Sequence, residues 1–172
     1  MNAAWRAMRA EGVVATNWSA LGRPGLQRSL GVADLDEVMA IEALAYSFPW
    51  SRGNFIDSLQ AGYVAERRDD PEGSMLGYFV AMPGIQELHL LNLTVAPASQ
   101  GRGQGHALLE RVLECARQRL DTQVWLEVRQ SNDRAIALYR HHAFIESSVR
   151  RAYYPGAQGP RDDAVVMRCQ LS

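Results

Sequence analysis

The sequence predicts a mixed α/β (α+β) domain in which helices flank a central, mostly antiparallel sheet. The first observation is size: 172 residues, 47% of them hydrophobic, suffice for one domain with a single core. The second is a hairpin pattern, since strand-like residues 63–67 and 75–82 are joined by turn-rich residues 69–73. The third is that strand-like and helical periods alternate in the second half of the chain. Strands joined both by turns and by helices indicate this mixed class.

The beginning of the chain predicts an extension. Residues 1–28 have weak periodicity and no long apolar run, so we expect a poorly defined N-terminal extension rather than a secretory signal. The predicted domain then covers residues 29–172. No apolar run in the chain approaches the roughly 20 residues that a membrane span needs.

Two helices are predicted next. Asp34 and Glu37 resemble a capping box and predict a helix that ends near Tyr46. The proline that follows interrupts this helix, because proline disfavours a helical residue before it. Ser51 is a suitable N-cap for a second short helix through Leu59.

The second half of the chain predicts four further strands and two helices. Proline ends the first of these strands, since it cannot donate to a ladder, and a Gly-rich loop opens an amphipathic helix with apolar residues at helical spacing. Ser131 and Asn132 are N-cap types and predict the start of the last helix. In chain order the segments are strand 88–95, loop 100–105, helix to about 120, strand 124–129, helix to about 141, and strands 144–150 and 164–168 around a long turn.

Charge and cysteine content limit the function classes. The net charge of −1 suggests no bulk attraction to nucleic acid or to an anionic membrane. Cys115 and Cys169 lie far apart without metal-ligand spacing, and the four histidines are scattered. We therefore expect a reduced cytoplasmic protein with no metal, no nucleic-acid partner and no membrane partner.

The Gly-rich loop predicts an anion site. The first-turn N–H groups of a helix lack intrahelical partners and its dipole favours negative charge; glycines let the backbone approach a phosphate, and Arg102 can add a charge-assisted contact. A dinucleotide fingerprint needs glycine where His106 stands, and a P-loop needs lysine, which the chain lacks. The loop alone is compatible with two interpretations: a diphosphate held by the backbone, or a glycine-rich turn without a ligand.

At this loop the sequence resembles a known family. Gln100 to Gly105 resembles motif A of the GNAT superfamily, and residues 125–139 resemble its motif B. The order and spacing, with Phe48-Pro49-Trp50-Ser51 and Arg150-Arg151-Ala152-Tyr153-Tyr154-Pro155, resemble the ribosomal-protein-alanine N-acetyltransferase (RimI) branch. The resemblance covers residues from about 30 to the C-terminus. One departure is Ala143, where the family usually has glycine; a left-handed residue there would cost about 1 kcal/mol relative to glycine.

The resemblance implies a GNAT fold with a splayed sheet and acetyl-CoA as cosubstrate. It implies that strand residues 93–95 bind the acetyl and pantetheine arm and donate backbone N–H groups to the oxyanion. The Gly-rich loop 100–105 and the start of the helix after it would bind the pyrophosphate. Asn132 would contact the cofactor, cap its helix, or do both. The implied cofactor-binding residues are Leu93, Thr94, Val95, Gly101, Arg102, Gly103, Gln104, Gly105, His106 and Asn132.

Two residues are candidates for proton transfer. Alternation on strand 124–129 places Glu127 opposite the core-like Val124, Leu126 and Val128, and by resemblance Glu127 is the general base. Tyr139 shares a helix face with Asn132 and by resemblance is the acid for the leaving thiolate; its alternative role is core packing.

Aromatic residues outside motifs A and B are candidates for the peptide site. Tyr153 and Tyr154 either shape that site or form a rigid turn before Pro155. Phe48 and Trp50 either wall a substrate groove or pack the first helix pair.

The expected function is transfer of acetyl from acetyl-CoA to the N-terminal alanine of a ribosomal protein, with coenzyme A as the second product. Glu127 and Tyr139 fit a broader N-terminal or small-amine acetyltransferase equally well. A catalytically silent acetyl-CoA-binding module is the alternative from another class.

Overall fold

The computed structural model describes residues 25–156 and 159–171. They form strands and helices in the predicted alternation. The strands are β1 (Leu26–Ser29), β2 (Val64–Asp69), β3 (Met75–Pro83), β4 (Glu87–Val95), β5 (Gln123–Arg129), β6 (Ile145–Tyr154) and β7 (Asp162–Gln170). The α-helices are α1 (Leu35–Ala45), α2 (Arg52–Gln60), α3 (Gln104–Gln118) and α4 (Asp133–His141), with short 3₁₀ turns at Val32–Asp34 and Pro97–Ser99.

The strands form one seven-stranded sheet in the order β1-β2-β3-β4-β5-β7-β6. The pairs β1–β2, β5–β7 and β6–β7 are antiparallel. β4 and β5 are parallel, with registered pairs from Glu87–Gln123 to Leu90–Leu126. The predicted class, a mixed α/β domain with a mostly antiparallel central sheet, is confirmed.

The chain divides into two compact units. The first comprises the described residues up to Val80 together with Asn92–Leu108, and the second comprises Ala81–Leu91 together with the residues from Leu109 onward.

In the first unit, α1 and α2 pack on the strands through an apolar cluster that includes Leu35, Val38, Phe55 and Val80. The predicted bounds of both helices are confirmed to within a residue. The Ser51 cap is also confirmed, since its hydroxyl accepts a hydrogen bond from Asn54 N at 3.2 Å.

The predicted capping box of Asp34 and Glu37 is wrong. A 3₁₀ turn precedes α1, so Asp34 is already helical, and its carboxylate turns back to accept from Gly31 N at 2.8 Å. Glu37 instead accepts from Met75 N at 2.7 Å. The pair that forms a cap is therefore Gly31 and Asp34, and it caps the 3₁₀ turn before α1 rather than α1 itself.

In the second unit, β5 alternates as predicted, with Val124, Leu126 and Val128 buried and the residues between them partly exposed. Ala143, after α4, has φ +63°. The left-handed conformation considered for the family's glycine position is therefore present at this alanine.

β6 is longer than predicted. It continues through Tyr153 and Tyr154, which lie in the strand rather than in the turn after it. The register with β7 shifts between Arg150 and Tyr154, and Ala152 has φ +50°. This irregularity absorbs extra residues and lets pairing resume at Tyr154 with Asp162.

Residues 1–24 of the expected N-terminal extension lie outside the described residues. Its last three residues belong to β1, which pairs with β2 from Leu26–Asp69 to Ser29–Glu66. A four-residue edge strand carries too little periodicity to be detected in a sequence.

Candidate functional site

The Gly-rich loop has the strand–loop–helix geometry that the sequence predicts. Gly101 and Gly103 have φ of +75° and +78°, the left-handed region that favours glycine. A Cβ added to Gly101 would meet nothing within 4 Å, so conformation rather than space requires glycine there. The loop leads into Gln104, the first residue of α3, whose first turn presents backbone N–H groups as helix N-termini do. This arrangement favours a negatively charged ligand.

The side chain of Gln104 is turned inward. It is 9% exposed, and its Oε1 accepts a hydrogen bond from Arg68 Nε at 2.8 Å. Arg68 is itself 1% exposed, so this contact attaches the start of α3 to β2. Gln104 therefore reaches a ligand only through its backbone. The sequence indicates no such role for Arg68.

At the end of β4, the backbone groups of Leu93 and Val95 face the same side of the strand. Ala96 N donates to Leu76 O of β3 at 2.9 Å, and peptide groups alternate sides along a strand. The backbone groups of Thr94 therefore also face β3, while those of Leu93 and Val95 face the opposite way. Tyr46 OH donates to Leu93 O at 3.4 Å, and Gln100 Nε2 donates to Val95 O at 3.2 Å. Side chains thus donate hydrogen bonds to the carbonyls of Leu93 and Val95. The N–H groups of these two residues point together to the side of β4 opposite β3.

Glu127 of the second unit is a carboxylate held between a cation and a phenol. Its side chain is 27% exposed, and Oε1 lies 3.1 Å from Arg150 Nε. A hydrogen bond between Tyr153 and Glu127, together with burial, raises the pKa of the Tyr153 phenol above its ordinary value. Tyr154 OH donates to the backbone O of Glu127 at 3.1 Å. The sequence left open whether these tyrosines shape a peptide site or form a rigid turn, and the structure places both against Glu127.

Tyr139 and Asn132 lie on α4. Asn132 is the N-cap, and its Oδ1 accepts from Ala135 N at 3.1 Å, so the predicted capping role is confirmed. Tyr139 is 8% exposed, and its ring centroid lies 5.8 Å from that of Phe144. The packing role considered for this tyrosine is therefore present; its proton-donor role and the cofactor contact of Asn132 stay predictions.

Other candidate chemistry is limited in the part of the chain that the structure describes. No group of three or more His, Cys, Asp or Glu side chains there has metal-binding geometry. Cys115 and Cys169 are both buried, and burial raises the pKa of the Cys169 thiol. Among the described helices, none combines the length and apolar character required to cross a membrane.

Comparison with known proteins places these elements in a family. Residues 35–144 match the Acetyltransferase (GNAT) family. The [Ribosomal protein bS18]-alanine N-acetyltransferase of Escherichia coli (strain K12) is 37% identical over 144 residues, 84% of this chain and 96% of that protein.

Two solved structures show the same fold. The crystal structure of the ribosomal-protein-S18-alanine N-acetyltransferase from Escherichia coli matches with a TM-score of 0.81 and 36% identity, covering 86% of this chain and 94% of that one. A GNAT superfamily phosphinothricin acetyltransferase from Sinorhizobium meliloti, in complex with AcCoA, matches with a TM-score of 0.73 and 20% identity over 87% and 89% of the two chains. The chain belongs to the GNAT family of acetyltransferases.

Proposed function

We propose that this acetyltransferase transfers the acetyl group of acetyl-CoA to the N-terminal alanine amine of a ribosomal protein. The observation that carries the proposal is the 37% identity to the bS18-alanine N-acetyltransferase, which extends over 96% of that protein. The proposal places the protein in the cytoplasm, with a ribosomal-protein N-terminus and coenzyme A as its partners.

The cosubstrate in this proposal is acetyl-CoA. The left-handed glycines and the first turn of α3 bind the pyrophosphate, supported by their φ values and by the helix N-terminus. The N–H groups of Leu93 and Val95 bind the acetyl and pantetheine arm, because they point to the same side of β4. Further contacts are assigned to Arg102, His106 and Asn132.

Glu127 is the proposed general base. An α-amino group has a pKa of about 7.7–8.0, so a useful fraction is neutral at cytoplasmic pH and a modest base suffices. The neutral amine attacks the thioester carbonyl, the amine proton passes to Glu127 directly or through water, and the C–S bond breaks. Tyr139 donates a proton to the departing coenzyme A thiolate, since a phenol O–H is a hydrogen-bond donor.

One assay tests the reaction and the acceptor together. The protein is incubated with acetyl-CoA and one of three peptide types: peptides that start with alanine, peptides that start with another residue, and N-terminally blocked peptides that carry internal lysine. Thiol release and product mass are recorded. Turnover confined to free alanine N-termini supports the proposal. Equal turnover on other α-amines would indicate a broader acetyltransferase, and acetyl-CoA binding without turnover on any amine would indicate a silent binding module.

Two variants test the proton-transfer roles. We expect Glu127→Gln to lower kcat by about 10²-fold at neutral pH, the usual scale of general acid–base catalysis, and Tyr139→Phe to lower kcat as well. Glu146→Gln is the matched control, since Glu146 is another carboxylate of the second unit and pairs with Arg140. A wild-type rate in Glu127→Gln or in Tyr139→Phe removes that residue from the mechanism.

A glycine pair tests the pyrophosphate loop. Gly101→Ala forces a left-handed alanine, which costs about 1–2 kcal/mol, so the KM for acetyl-CoA should increase severalfold. Gly73→Ala is the control, because Gly73 has φ +91° in the β2–β3 turn and also has nothing within 4 Å of an added Cβ. An equal KM increase in both variants would remove the loop from cofactor binding.

A further inference from the structure

A buried carboxylate with no role in the proposed chemistry lies in the first unit. Glu42 of α1 is 1% exposed. Its Oε1 accepts from Tyr78 OH at 2.5 Å and from Asn92 Nδ2 at 2.9 Å, and its Oε2 accepts from Trp50 N at 2.8 Å. We call Glu42, Tyr46, Tyr78, Asn92 and Thr94 the Glu42 cluster.

The donors around Glu42 make its burial tolerable. A buried charge is costly unless hydrogen bonds replace its hydration, and both oxygens of Glu42 accept such bonds. Burial, reinforced by the hydrogen bond to Glu42, raises the pKa of Tyr78 far above its ordinary value, so this phenol stays a donor. The carboxylate is therefore a rigid connection between α1, β3 and β4.

The Glu42 cluster ends at the part of β4 that carries Leu93. Thr94 Oγ1 donates to Asn92 Oδ1 at 2.7 Å and lies 2.9 Å from Tyr46 OH. Tyr46 OH also donates to Leu93 O at 3.4 Å. Side chains on either side of Leu93 and the carbonyl of Leu93 itself are thus held by one hydrogen-bonded network.

We propose that Glu42 is a positioning residue that holds the end of β4 so that the N–H groups of Leu93 and Val95 form a fixed pair of donors for acetyl-CoA. This inference rests on the proposed function, in which those two groups bind the acetyl and pantetheine arm. Donors stabilise a developing oxyanion most when they are fixed before the reaction. Loosening the cluster weakens acetyl-CoA binding and slows acetyl transfer together.

The same helix offers a matched control. Glu37 also connects α1 to a strand, because its carboxylate accepts from Met75 N at 2.7 Å and pairs with Arg67 Nη1 at 2.9 Å. That contact lies at the start of β3, away from Leu93 in the sequence. Glu37→Gln therefore reports the loss of a helix-to-strand contact that involves no residue of β4.

The experiment compares Glu42→Gln with Glu37→Gln. Glutamine keeps the size of the side chain but turns one acceptor oxygen into a donor that faces other donors. We expect Glu42→Gln to weaken acetyl-CoA binding severalfold in calorimetry and to lower kcat about tenfold. In the acetyl-CoA complex, it should also accelerate hydrogen exchange at the Leu93 and Val95 amides. Glu37→Gln should keep all three values within twofold of wild type, even where its thermal stability falls.

A second variant covers the case in which Glu42→Gln does not fold. Tyr46 is 40% exposed, so Tyr46→Phe removes the contact to Leu93 O with little loss of packing. We expect faster exchange at Leu93 and weaker acetyl-CoA binding in this variant as well. Wild-type acetyl-CoA affinity and wild-type exchange at Leu93 and Val95 in Tyr46→Phe, or in a folded Glu42→Gln, would overturn the inference.

These outcomes separate the inference from the function on which it rests. Failure of the wild-type protein to acetylate any alanine-starting peptide refutes the proposed function. The affinity and exchange measurements use acetyl-CoA and the protein alone, so they decide the role of Glu42 in either case.

Discussion

Gly77 offers the sharpest test of how β4 is placed, because it has no room for a side chain. A Cβ at this position of β3 would lie 2.4 Å from Thr94 O, 2.9 Å from Leu108 Cδ1 and 3.1 Å from Val95 Cα. Ordinary contact begins at 3.4 Å, so the backbone of Thr94 would have to retreat by 3.4 − 2.4 = 1.0 Å. The closest obstacle is backbone rather than the flexible end of a side chain, and it cannot move alone.

The consequence of Gly77→Ala follows from that displacement. Overpacking typically costs about 1–3 kcal/mol, and we expect a loss in the free energy of unfolding within this range. The displaced residues, Thr94 and Val95, belong to the strand proposed to bind acetyl-CoA. A misplacement of about 1 Å can reduce turnover by about 10²-fold, so kcat/KM for acetyl-CoA should fall at least tenfold.

The assay combines urea unfolding, followed by tryptophan fluorescence, with steady-state kinetics. Gly53→Ala is the control, since a Cβ there would lie 3.6 Å from Ser51 Oγ, an ordinary contact, on α2. Alanine is the better helix former by up to about 1 kcal/mol, so this variant should be at least as stable as wild type and equally active. A Gly77→Ala protein with wild-type stability and wild-type kcat/KM would refute the reasoning.

Two further predictions concern stability. Ala143→Gly should raise the free energy of unfolding by about 1 kcal/mol, because alanine is strained at φ +63°. Ala137→Gly, at an exposed position in the middle of α4, should instead lower it by about 1 kcal/mol. Changes of the same sign for both variants in urea unfolding would contradict this. Asp34 should make stability fall in acid: burial pushes its pKa up, but hydrogen bonds from Arg28 and Gly31 N outweigh burial and lower it below 3.8. The unfolded chain then binds the proton first, so this contribution is complete about one pH unit above the unfolded-state pKa of about 3.9 and is lost as pH falls through the folded-state pKa. Asp34→Asn should show a smaller loss between pH 5 and pH 3 in the same unfolding assay, and equal slopes would remove Asp34 as the cause.

Local features were predictable from the sequence. The Ser51 and Asn132 caps accept from residues three positions away, and the alternation of β5 follows from side chains that point to opposite faces. Motif A and the glycines of the loop indicated the family, which the comparisons confirm. The predicted capping box of Asp34 and Glu37 was wrong, because Asp34 belongs to the preceding 3₁₀ turn and its carboxylate accepts from Gly31 N instead.

Tertiary structure alone decided which polar side chains meet. Glu42 contacts Tyr78 and Asn92, 36 and 50 residues further along the chain, and Arg68 reaches Gln104 across 36 residues. In the sequence Glu42 is one acidic residue in a mostly apolar helix and carries no sign of its burial. Periodicity and capping depend on neighbours within one or two turns, whereas the partner of a buried charge depends on how the strands bring distant segments together.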